Sequence, residues 1–211
     1  GKAIEEGGIM RNILLFMYKV ALQRAQKVFF QNDANRAVFA DKNIGGKRYA
    51  LVKGSGVNLE EFSRMEFPPK TDSIRFIWVA RIAKMKGIDI FLEAAERVKT
   101  KYPQTEFRVL GFIEEDYKEK MREYENRKII DYRGMQQDVR PDLEESQCLI
   151  LPSEAEGMSN ACLEAAACGR ALITTDVPGC RECVADGITG YLIQPGSVED
   201  LTEKIEKFIC L

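Results

Sequence analysis

Short apolar runs alternate with helix-like segments along most of the chain, and this alternation restricts its fold more than any other feature. The runs are typical of buried strands and lie at 74–80, 106–110, 128–133, 148–151, 171–174 and 191–193. Between them, apolar residues recur at helical spacing, as in 88–98 and 198–209. Strands that alternate with helices form a parallel sheet with helices on both faces. We therefore expect an α/β, Rossmann-like domain over residues 47–211.

The first 46 residues have a different pattern. A helix is expected at about 9–25, a strand at 27–31 and a second helix at about 34–42. These elements precede the regular alternation, so residues 1–46 stand apart from the expected α/β domain.

Composition excludes several functional classes. The 31 basic and 33 acidic residues nearly balance, so there is no electrostatic argument for nucleic-acid binding. The chain has no histidine, which excludes Ser-His-Asp and Cys-His catalysis within these residues. Six scattered cysteines are typical of reduced thiols in a cytoplasmic protein, and the Cys180-x-x-Cys183 pair lacks the second pair that a zinc site needs. The apolar run at 13–17 is too short to span a bilayer.

The segment 153–170 follows a strand-like run and predicts a strand, a turn and a helix. The helix is expected to begin at Ser159 or Asn160, and Gly169 stands where a helix C-cap belongs. Such a helix directs unpaired N–H groups and the positive end of its dipole at the space above the sheet. The segment therefore predicts an anion site, most simply for phosphate.

Two glutamates flank this predicted site. Glu156 lies in the turn and Glu164 lies within the helix, eight residues later. Carboxylates accept hydrogen bonds from hydroxyl groups, so the pair favours a ligand with hydroxyls on both sides of a phosphate, such as a nucleoside diphosphate sugar. Two solvated surface glutamates are the alternative. The small residues at 165–168 indicate a helix packed tightly on the sheet, in which Glu164 needs a partner.

The spacing resembles the E-x7-E motif of family 4 of the glycosyltransferases, which are retaining enzymes of the GT-B fold. The segment 79–87 resembles the Arg and Lys-Gly diphosphate clamp of that family, and 174–182 and 186–193 resemble the segments that follow the motif. Residues 54–59 resemble the loop that opens the donor-binding domain, with Asn58 where Asp is commoner. The subgroup most similar to this chain builds capsule, O-antigen and related surface glycans.

This resemblance implies a catalytic role for three side chains. Arg81 and Lys86 would stabilise the departing diphosphate together with the helix N–H groups, and Glu156 would hold the hydroxyls of the donor sugar. Glu164 would bind the ribose, while Gly134 and Met135 would receive the base. The remaining donor-binding positions implied by the motif are Gly157, Met158, Ser159 and Asn160.

The resemblance also implies the reaction and its partners. The substrate would be a nucleoside diphosphate sugar, with uridine as the base, and the sugar would pass with retention to a growing glycan or a lipid-linked acceptor. There is no D-x-D motif and no histidine, so we expect neither a metal nor another cofactor. Acceptor contacts would come from an N-terminal domain of which residues 1–46 are the last part. The whole protein would be cytoplasmic, with peripheral membrane association as an option.

The chain is therefore expected to be truncated at both ends, and inactive in transfer without the N-terminal domain. A dehydrogenase is excluded, because the nearest dinucleotide fingerprint, Gly54-Ser55-Gly56, has Leu59 at the third glycine position. Two alternatives stay open: an enzyme that phosphorolyses or epimerises a nucleotide sugar, and a catalytically silent module that only binds one.

Overall fold

Two parallel sheets organise the protein, which is described by a computed structural model over residues 8–46, 48–69 and 73–211. The small sheet pairs β1 (Val28–Phe30) with β2 (Tyr49–Leu51). The large sheet has six strands: β3 (Arg75–Val79), β4 (Glu106–Leu110), β5 (Asp131–Gly134), β6 (Cys148–Leu151), β7 (Ala171–Thr175) and β8 (Gly190–Ile193).

Helices connect the strands of the large sheet, and one more helix follows the last strand. The connecting helices are α3 (Ile88–Lys101), α4 (Lys118–Asn126), α5 (Arg140–Glu144) and α6 (Asn160–Ala167), and α7 (Val198–Ile209) follows β8. Short 3₁₀ turns at Lys84–Lys86, Glu115–Tyr117 and Arg181–Cys183 complete the connections. The expected α/β, Rossmann-like fold is confirmed.

The strand order of the large sheet is β5-β4-β3-β6-β7-β8, and every pairing is parallel. The chain builds outward from β3 in one direction and from β6 in the other. These two strands are therefore neighbours at a topological switch point, and a crevice opens beyond their carboxyl ends. Ligands of such sheets bind in this crevice.

The main core lies on both faces of this sheet. Its largest fully buried side chains include Phe76 and Trp78 of β3, Phe91 of α3 and Phe107 of β4. Strands buried on both faces are apolar almost throughout, which is why the sequence shows continuous apolar runs rather than alternation. On one face, α3 and α7 pack together and are linked by two ion pairs, Arg97 with Glu199 and Lys101 with Glu206.

The N-terminal residues form a separate small cluster. It comprises α1 (Gly8–Ala21), β1, α2 (Asp33–Asp41) and β2, around a core of Leu15, Phe30, Phe39 and Ile44. We call this cluster the N-terminal unit. It includes β2, which lies beyond residue 47 in the chain and pairs with β1. Lys47, where the second domain was expected to begin, lies outside the described residues, and the division into 1–46 and 47–211 stays a prediction.

One predicted strand begins later than expected. The run 128–130 is not extended, because Lys128 adopts a left-handed conformation (φ 57) at the end of α4. The N–H of Lys128 donates to Glu125 O at 2.8 Å and that of Ile129 donates to Tyr124 O at 3.0 Å. These two bonds form a Schellman cap, so the residues terminate the helix and the strand starts at Asp131.

A buried arginine fixes the segment that leads into the large sheet. Arg170, at the start of β7, donates from Nη2 to the carbonyls of Met65 at 3.1 Å and Glu66 at 2.6 Å. Its other donors bind the carbonyls of Ser146 and Cys168. The segment at 65–66 is thereby held against the amino ends of the strands. Among the helices of the described ranges, none is long and apolar enough to cross a membrane.

Candidate functional site

The turn between β6 and α6 has the geometry that the sequence predicts. Ser159 is the N-cap of α6, and its hydroxyl accepts a hydrogen bond from the Cys162 N–H at 3.3 Å. At the other end Gly169 is left-handed (φ 77) and forms a Schellman cap, with its N–H on Ala166 O and the Arg170 N–H on Ala165 O. The predicted start and end of this helix are confirmed.

The N–H groups around the start of α6 are available to a ligand. Within the described part of the chain, no hydrogen-bond acceptor is found for the N–H groups of Gly157, Met158, Asn160 and Ala161. Unpaired donors at a helix N-terminus and the positive end of the helix dipole together favour an anion. The turn can therefore receive a phosphate.

Lys86 and Glu156 meet across the crevice between β3 and β6. Lys86 Nζ lies 2.5 Å from Glu156 Oε1, and the two side chains are only 21% and 12% exposed. Lys86 ends the 3₁₀ turn after β3, and Glu156 lies in the turn after β6. In the protein without ligand, this cation and carboxylate neutralise each other. The sequence predicts separate ligand partners for the two side chains and gives no sign of their contact with each other.

Two loops hold this pair in place. The Met85 carbonyl accepts hydrogen bonds from the Ser153 hydroxyl at 3.2 Å and the Glu154 N–H at 3.0 Å. Gly87 is left-handed (φ 79) and approaches Pro152 so closely that a Cβ there would lie 2.0 Å from the Pro152 carbonyl oxygen. The loop that carries Lys86 and the loop that carries Glu156 are therefore packed against each other as one surface.

Arg81 lies at the mouth of the same crevice. Its guanidinium is half exposed, with Nη1 3.2 Å from Glu114 Oε1 and Nη2 3.6 Å from Met85 Sδ. A cleft of about 220 Å³ is lined by Asn35, Arg81, Met85, Lys86, Ala155, Glu156 and Gly157. The structure thus brings together four of the predicted residues, namely Arg81, Lys86, Glu156 and Gly157.

The N-terminal unit contributes a wall of this cleft that the sequence analysis missed. Asn35 lines it from the first turn of α2, and the neighbouring Asn32 side chain binds the backbone of the β6–α6 turn. A signal was present in the sequence, because Asn32 directly follows a strand and is a favourable N-cap for the next helix. The cap signal at Asn32 does not by itself indicate a contact with the β6–α6 turn, because residues 1–46 are expected to belong to an acceptor domain.

Three further motif residues have distinct environments. The Met158 side chain packs against Gly54, where an added Cβ would lie 2.5 Å from Met158 Cγ, and it lies 3.8 Å from the Cys183 thiol. Ser159 is buried in its capping role, whereas the side chain of Asn160 is exposed. Met158 therefore links the turn to Gly54 and Cys183 through its side chain, and its backbone N–H is left for a ligand.

Gly134 and Met135 do not line this cleft. They lie at the carboxyl end of β5, which is the edge strand and is separated from β3 by β4. With about 4.8 Å between neighbouring strands, this places them roughly 10 Å from the end of β3. Met135 is 74% exposed. A single ligand must be extended along the sheet edge to touch both places.

Glu164 lies partly buried on α6, one turn in from its start. Burial raises the pKa of its carboxyl, and the nearby Glu61 carboxylate raises this pKa further. Within the residues that the structure covers, no side chain or backbone group donates a hydrogen bond to the Glu164 carboxylate. The partner that the sequence analysis required for Glu164 is therefore not supplied by the described protein groups.

We expect Glu164→Gln to raise the stability of the unliganded chain at neutral pH. Folding raises the pKa of Glu164, so the folded state holds this proton more tightly than the unfolded state. The free energy of unfolding consequently falls as the pH rises through the interval between the two pKa values. The uncharged amide removes this fall in the free energy of unfolding. At neutral pH the urea unfolding midpoint of the variant should therefore exceed that of the wild-type chain. The difference between the two midpoints should shrink below about pH 4. Glu203→Gln, on the exposed face of α7, is the control, and a less stable Glu164 variant at neutral pH would contradict the assignment.

A doubly wound parallel sheet whose switch point carries a helix N-terminus and two cations is characteristic of proteins that bind nucleotides or their sugar conjugates. Residues 73–210 match the family described as glycosyl transferases group 1. The chain belongs to this family, as its E-x7-E motif suggested.

Two similar proteins are glycosyltransferases by their names. The chain is 26% identical over 215 residues to N,N'-diacetylbacillosaminyl-diphospho-undecaprenol alpha-1,3-N-acetylgalactosaminyltransferase of Campylobacter jejuni, covering 95% of this chain and 55% of that protein. It is 23% identical over 212 residues to the capsular polysaccharide biosynthesis glycosyltransferase CapM of Staphylococcus aureus, covering 93% and 56%. The chain spans about half the length of these relatives.

Solved structures share the fold. HepE of Anabaena, in a structure with UDP and glucose, matches with a TM-score of 0.79 at 18% identity, over 97% of this chain and 59% of that one. The C-terminal domain of the group 1 glycosyl transferase LpcC of Francisella tularensis matches with a TM-score of 0.64 at 26% identity, over 74% and 89%. The chain has the Rossmann-like fold of part of the GT-B glycosyltransferases.

Proposed function

We propose that this chain forms the donor-binding part of a retaining, metal-independent glycosyltransferase that uses a UDP-sugar. The carrying observation is that Arg81, Lys86 and Gly157, whose N–H has no acceptor in the described structure, line one cleft that also contains Glu156. Two cations and a helix N-terminus suit a diphosphate. The UDP in the HepE structure and the names of the relatives support the assignment.

The chemistry follows from the charge that develops as the glycosyl phosphate bond breaks. Negative charge accumulates on the departing diphosphate, and positive charge on the sugar carbon. Arg81, Lys86 and the α6 N–H groups are fixed before the reaction and stabilise the diphosphate, in the place where other transferases use a metal ion. Glu156 holds the hydroxyls of the donor sugar and supplies negative charge close to the carbon that becomes positive.

The Lys86–Glu156 pair gives this arrangement a further property. Because each group already has a partner, neither buried charge is left uncompensated before the donor arrives. The diphosphate then becomes a second partner for Lys86, and the sugar hydroxyls become partners for Glu156. The sugar nucleotide thus binds to an ion pair that is already formed, and each of the two side chains gains a second partner.

The rest of the donor is read by groups farther from the cleft. The Glu164 carboxylate accepts hydrogen bonds from the ribose hydroxyls. These hydroxyls supply the hydrogen-bond donors that the described protein groups do not. The base lies towards Gly134 and Met135, at the same edge of the sheet. The acceptor is a growing glycan or a lipid-linked acceptor, bound through the N-terminal domain. Membrane association of the whole protein, in the cytoplasm, would fit such an acceptor, and the 211-residue chain alone is expected to bind the donor without transferring its sugar.

We expect the chain to bind UDP more tightly than UMP, because the second phosphate gains the contacts of Arg81 and Lys86. Charge-assisted hydrogen bonds contribute roughly 1.5–3 kcal/mol each. Arg81→Ala should therefore weaken UDP binding about tenfold or more and leave UMP binding nearly unchanged. Calorimetry measures both affinities. Arg97→Ala, which also removes a half-exposed arginine paired with carboxylates, is the matched control, and equal affinities of the wild-type chain for UDP and UMP would contradict the clamp.

Nucleotide binding should survive the removal of divalent cations. The clamp supplies positive charge from side chains, so UDP affinity in EDTA should match that in magnesium or manganese within about twofold. The same calorimetric titration in the three buffers tests this. Loss of binding in EDTA that either metal restores would show that the proposal of metal independence is wrong. A silent binding module would show the same binding, and only a transfer assay on a longer, transfer-competent protein separates it from an enzyme.

A further inference from the structure

The β6–α6 turn is held from the N-terminal unit by one buried side chain. Asn32, at the end of the segment that follows β1, is only 4% exposed. Its Nδ2 donates to the carbonyl oxygen of Glu156 at 3.2 Å and to that of Gly157 at 3.0 Å. Its Oδ1 accepts from the Asn35 N–H at 2.9 Å and caps α2. The two Nδ2 hydrogen bonds therefore join the N-terminal unit to the β6–α6 turn, while Oδ1 holds the start of α2.

Holding these two carbonyls also orients two N–H groups. The described peptide bonds are all trans. In a planar trans peptide, the carbonyl of one residue points away from the N–H of the next. The carbonyls of Glu156 and Gly157 point at Asn32, so the N–H groups of Gly157 and Met158 point to the other side. These are two of the N–H groups without an acceptor in the described structure.

The turn is also enclosed on other sides. A Cβ on Gly179 would lie 2.6 Å from the Glu156 carbonyl oxygen and 2.7 Å from that of Gly157. A Cβ on Gly157 would lie 2.0 Å from Gln31 Oε1, next to Asn32 in the chain. The Ser159 N–H donates to Gly179 O at 2.8 Å. The two carbonyls therefore lie between Gly179 and the Asn32 amide, with little room to rotate.

We propose that Asn32 is a positioning residue for the donor diphosphate. It directs the N–H groups of Gly157 and Met158 into the cleft and makes this orientation depend on the docking of the N-terminal unit. The inference rests on the proposed function, since it says how the N–H groups that bind the phosphate are oriented. It gives the N-terminal unit a part in binding the sugar nucleotide.

The test uses Asn32→Ser in the 211-residue chain. Serine is a good N-cap, so it keeps the start of α2 and adds no charge, but it is too short to reach the two carbonyls. Losing two hydrogen bonds that orient the phosphate donors should raise the Kd for UDP about tenfold. The Kd for uridine, which has no phosphate, should change less than twofold. Asn32→Asp keeps the shape and the cap but places a carboxylate oxygen against the two carbonyls, and should weaken UDP binding at least as much.

Controls separate positioning from general destabilisation. Ser197→Ala removes the N-cap of α7, far from the cleft, and should lower Tm without changing the ratio of the UDP and uridine affinities. Hydrogen exchange gives a second readout: UDP should slow exchange of the amides at 157–161 in the wild-type chain and slow it less in Asn32→Ser.

The outcomes separate the inference from the function on which it rests. If the wild-type chain prefers UDP to uridine and Asn32→Ser keeps that preference, the inference is wrong and the proposed function stands. Equal weakening of UDP and uridine binding would likewise assign Asn32 a structural role only and overturn the inference. If the wild-type chain shows no preference for UDP over uridine, the proposed function fails and the inference falls with it.

Discussion

Glu156→Gln is expected to lower the transfer rate about a hundredfold or more in a transfer-competent protein that contains this chain. A contact to the reacting sugar strengthens as positive charge develops, so its loss affects kcat more than donor binding. The amide still accepts a hydrogen bond from Lys86 but carries no charge. UDP affinity of the 211-residue chain should therefore stay nearly the same, while the additional affinity of a UDP-sugar such as UDP-glucose or UDP-N-acetylgalactosamine is lost.

Glu164→Gln is the matched comparison for this prediction, because it changes the other glutamate of the motif in the same way. If Glu164 reads the ribose, its amide variant loses affinity for UDP itself and for every UDP-sugar alike. Measuring both variants against UDP and against UDP-sugars gives four affinities. If both variants stayed within about 0.5 kcal/mol of the wild-type chain for both kinds of ligand, the two glutamates would be ordinary surface residues.

Gly87→Ala is expected to destabilise the fold and to disable the site together. The position is left-handed (φ 79), and the new methyl group would lie 2.0 Å from the Pro152 carbonyl oxygen. A left-handed conformation alone costs about 1–3 kcal/mol in a non-glycine residue. The clash cannot be relieved by a side-chain rotation, so the loops that carry Lys86 and Glu156 must separate. Urea unfolding should show a loss of unfolding free energy clearly larger than the left-handed conformation alone produces. UDP binding should weaken at least tenfold.

Gly196→Ala isolates the contribution of the clash. Gly196 has nearly the same backbone angle (φ 78), but nothing lies within 4 Å of the position its Cβ would take. Both variants carry the conformational penalty, and only Gly87→Ala carries the collision with the neighbouring loop. Similar unfolding midpoints and similar UDP affinities for the two variants would mean that the two loops are not packed as tightly as the structure indicates.

Local sequence signals were sufficient for the fold and for the motif helix. The apolar runs predicted the parallel strands because each strand of such a sheet is buried on both faces, and Ser159 and Gly169 marked the ends of α6 because caps depend on adjacent residues. The run at 128–130 misled for the same local reason. Its β-branched residues favour a strand, but the contact between Ile129 and Tyr124 that ends α4 prevails.

The parts of the site that escaped prediction depend on residues far apart in the chain. The Lys86–Glu156 ion pair joins positions 70 residues apart, and the Asn32 contacts span 124 and 125 residues. Spacing along the sequence carries no information about such pairs unless the strand order is known. Glu164 is the opposite case: its need for a partner followed from its expected burial, and among the described residues no protein group donates to its carboxylate.

The anchoring of residues 65–66 by Arg170 shortens the connection between the two units. The chain leaves the small sheet after Leu51 and is fixed at the amino ends of the large sheet's strands at Met65 and Glu66. A rotation of one unit against the other must therefore be absorbed by backbone torsions within 52–64. This segment includes Gly54, which packs on the Met158 side chain. A rotation of the two units would therefore disturb the β6–α6 turn in two places, at Met158 and at the carbonyls that Asn32 binds.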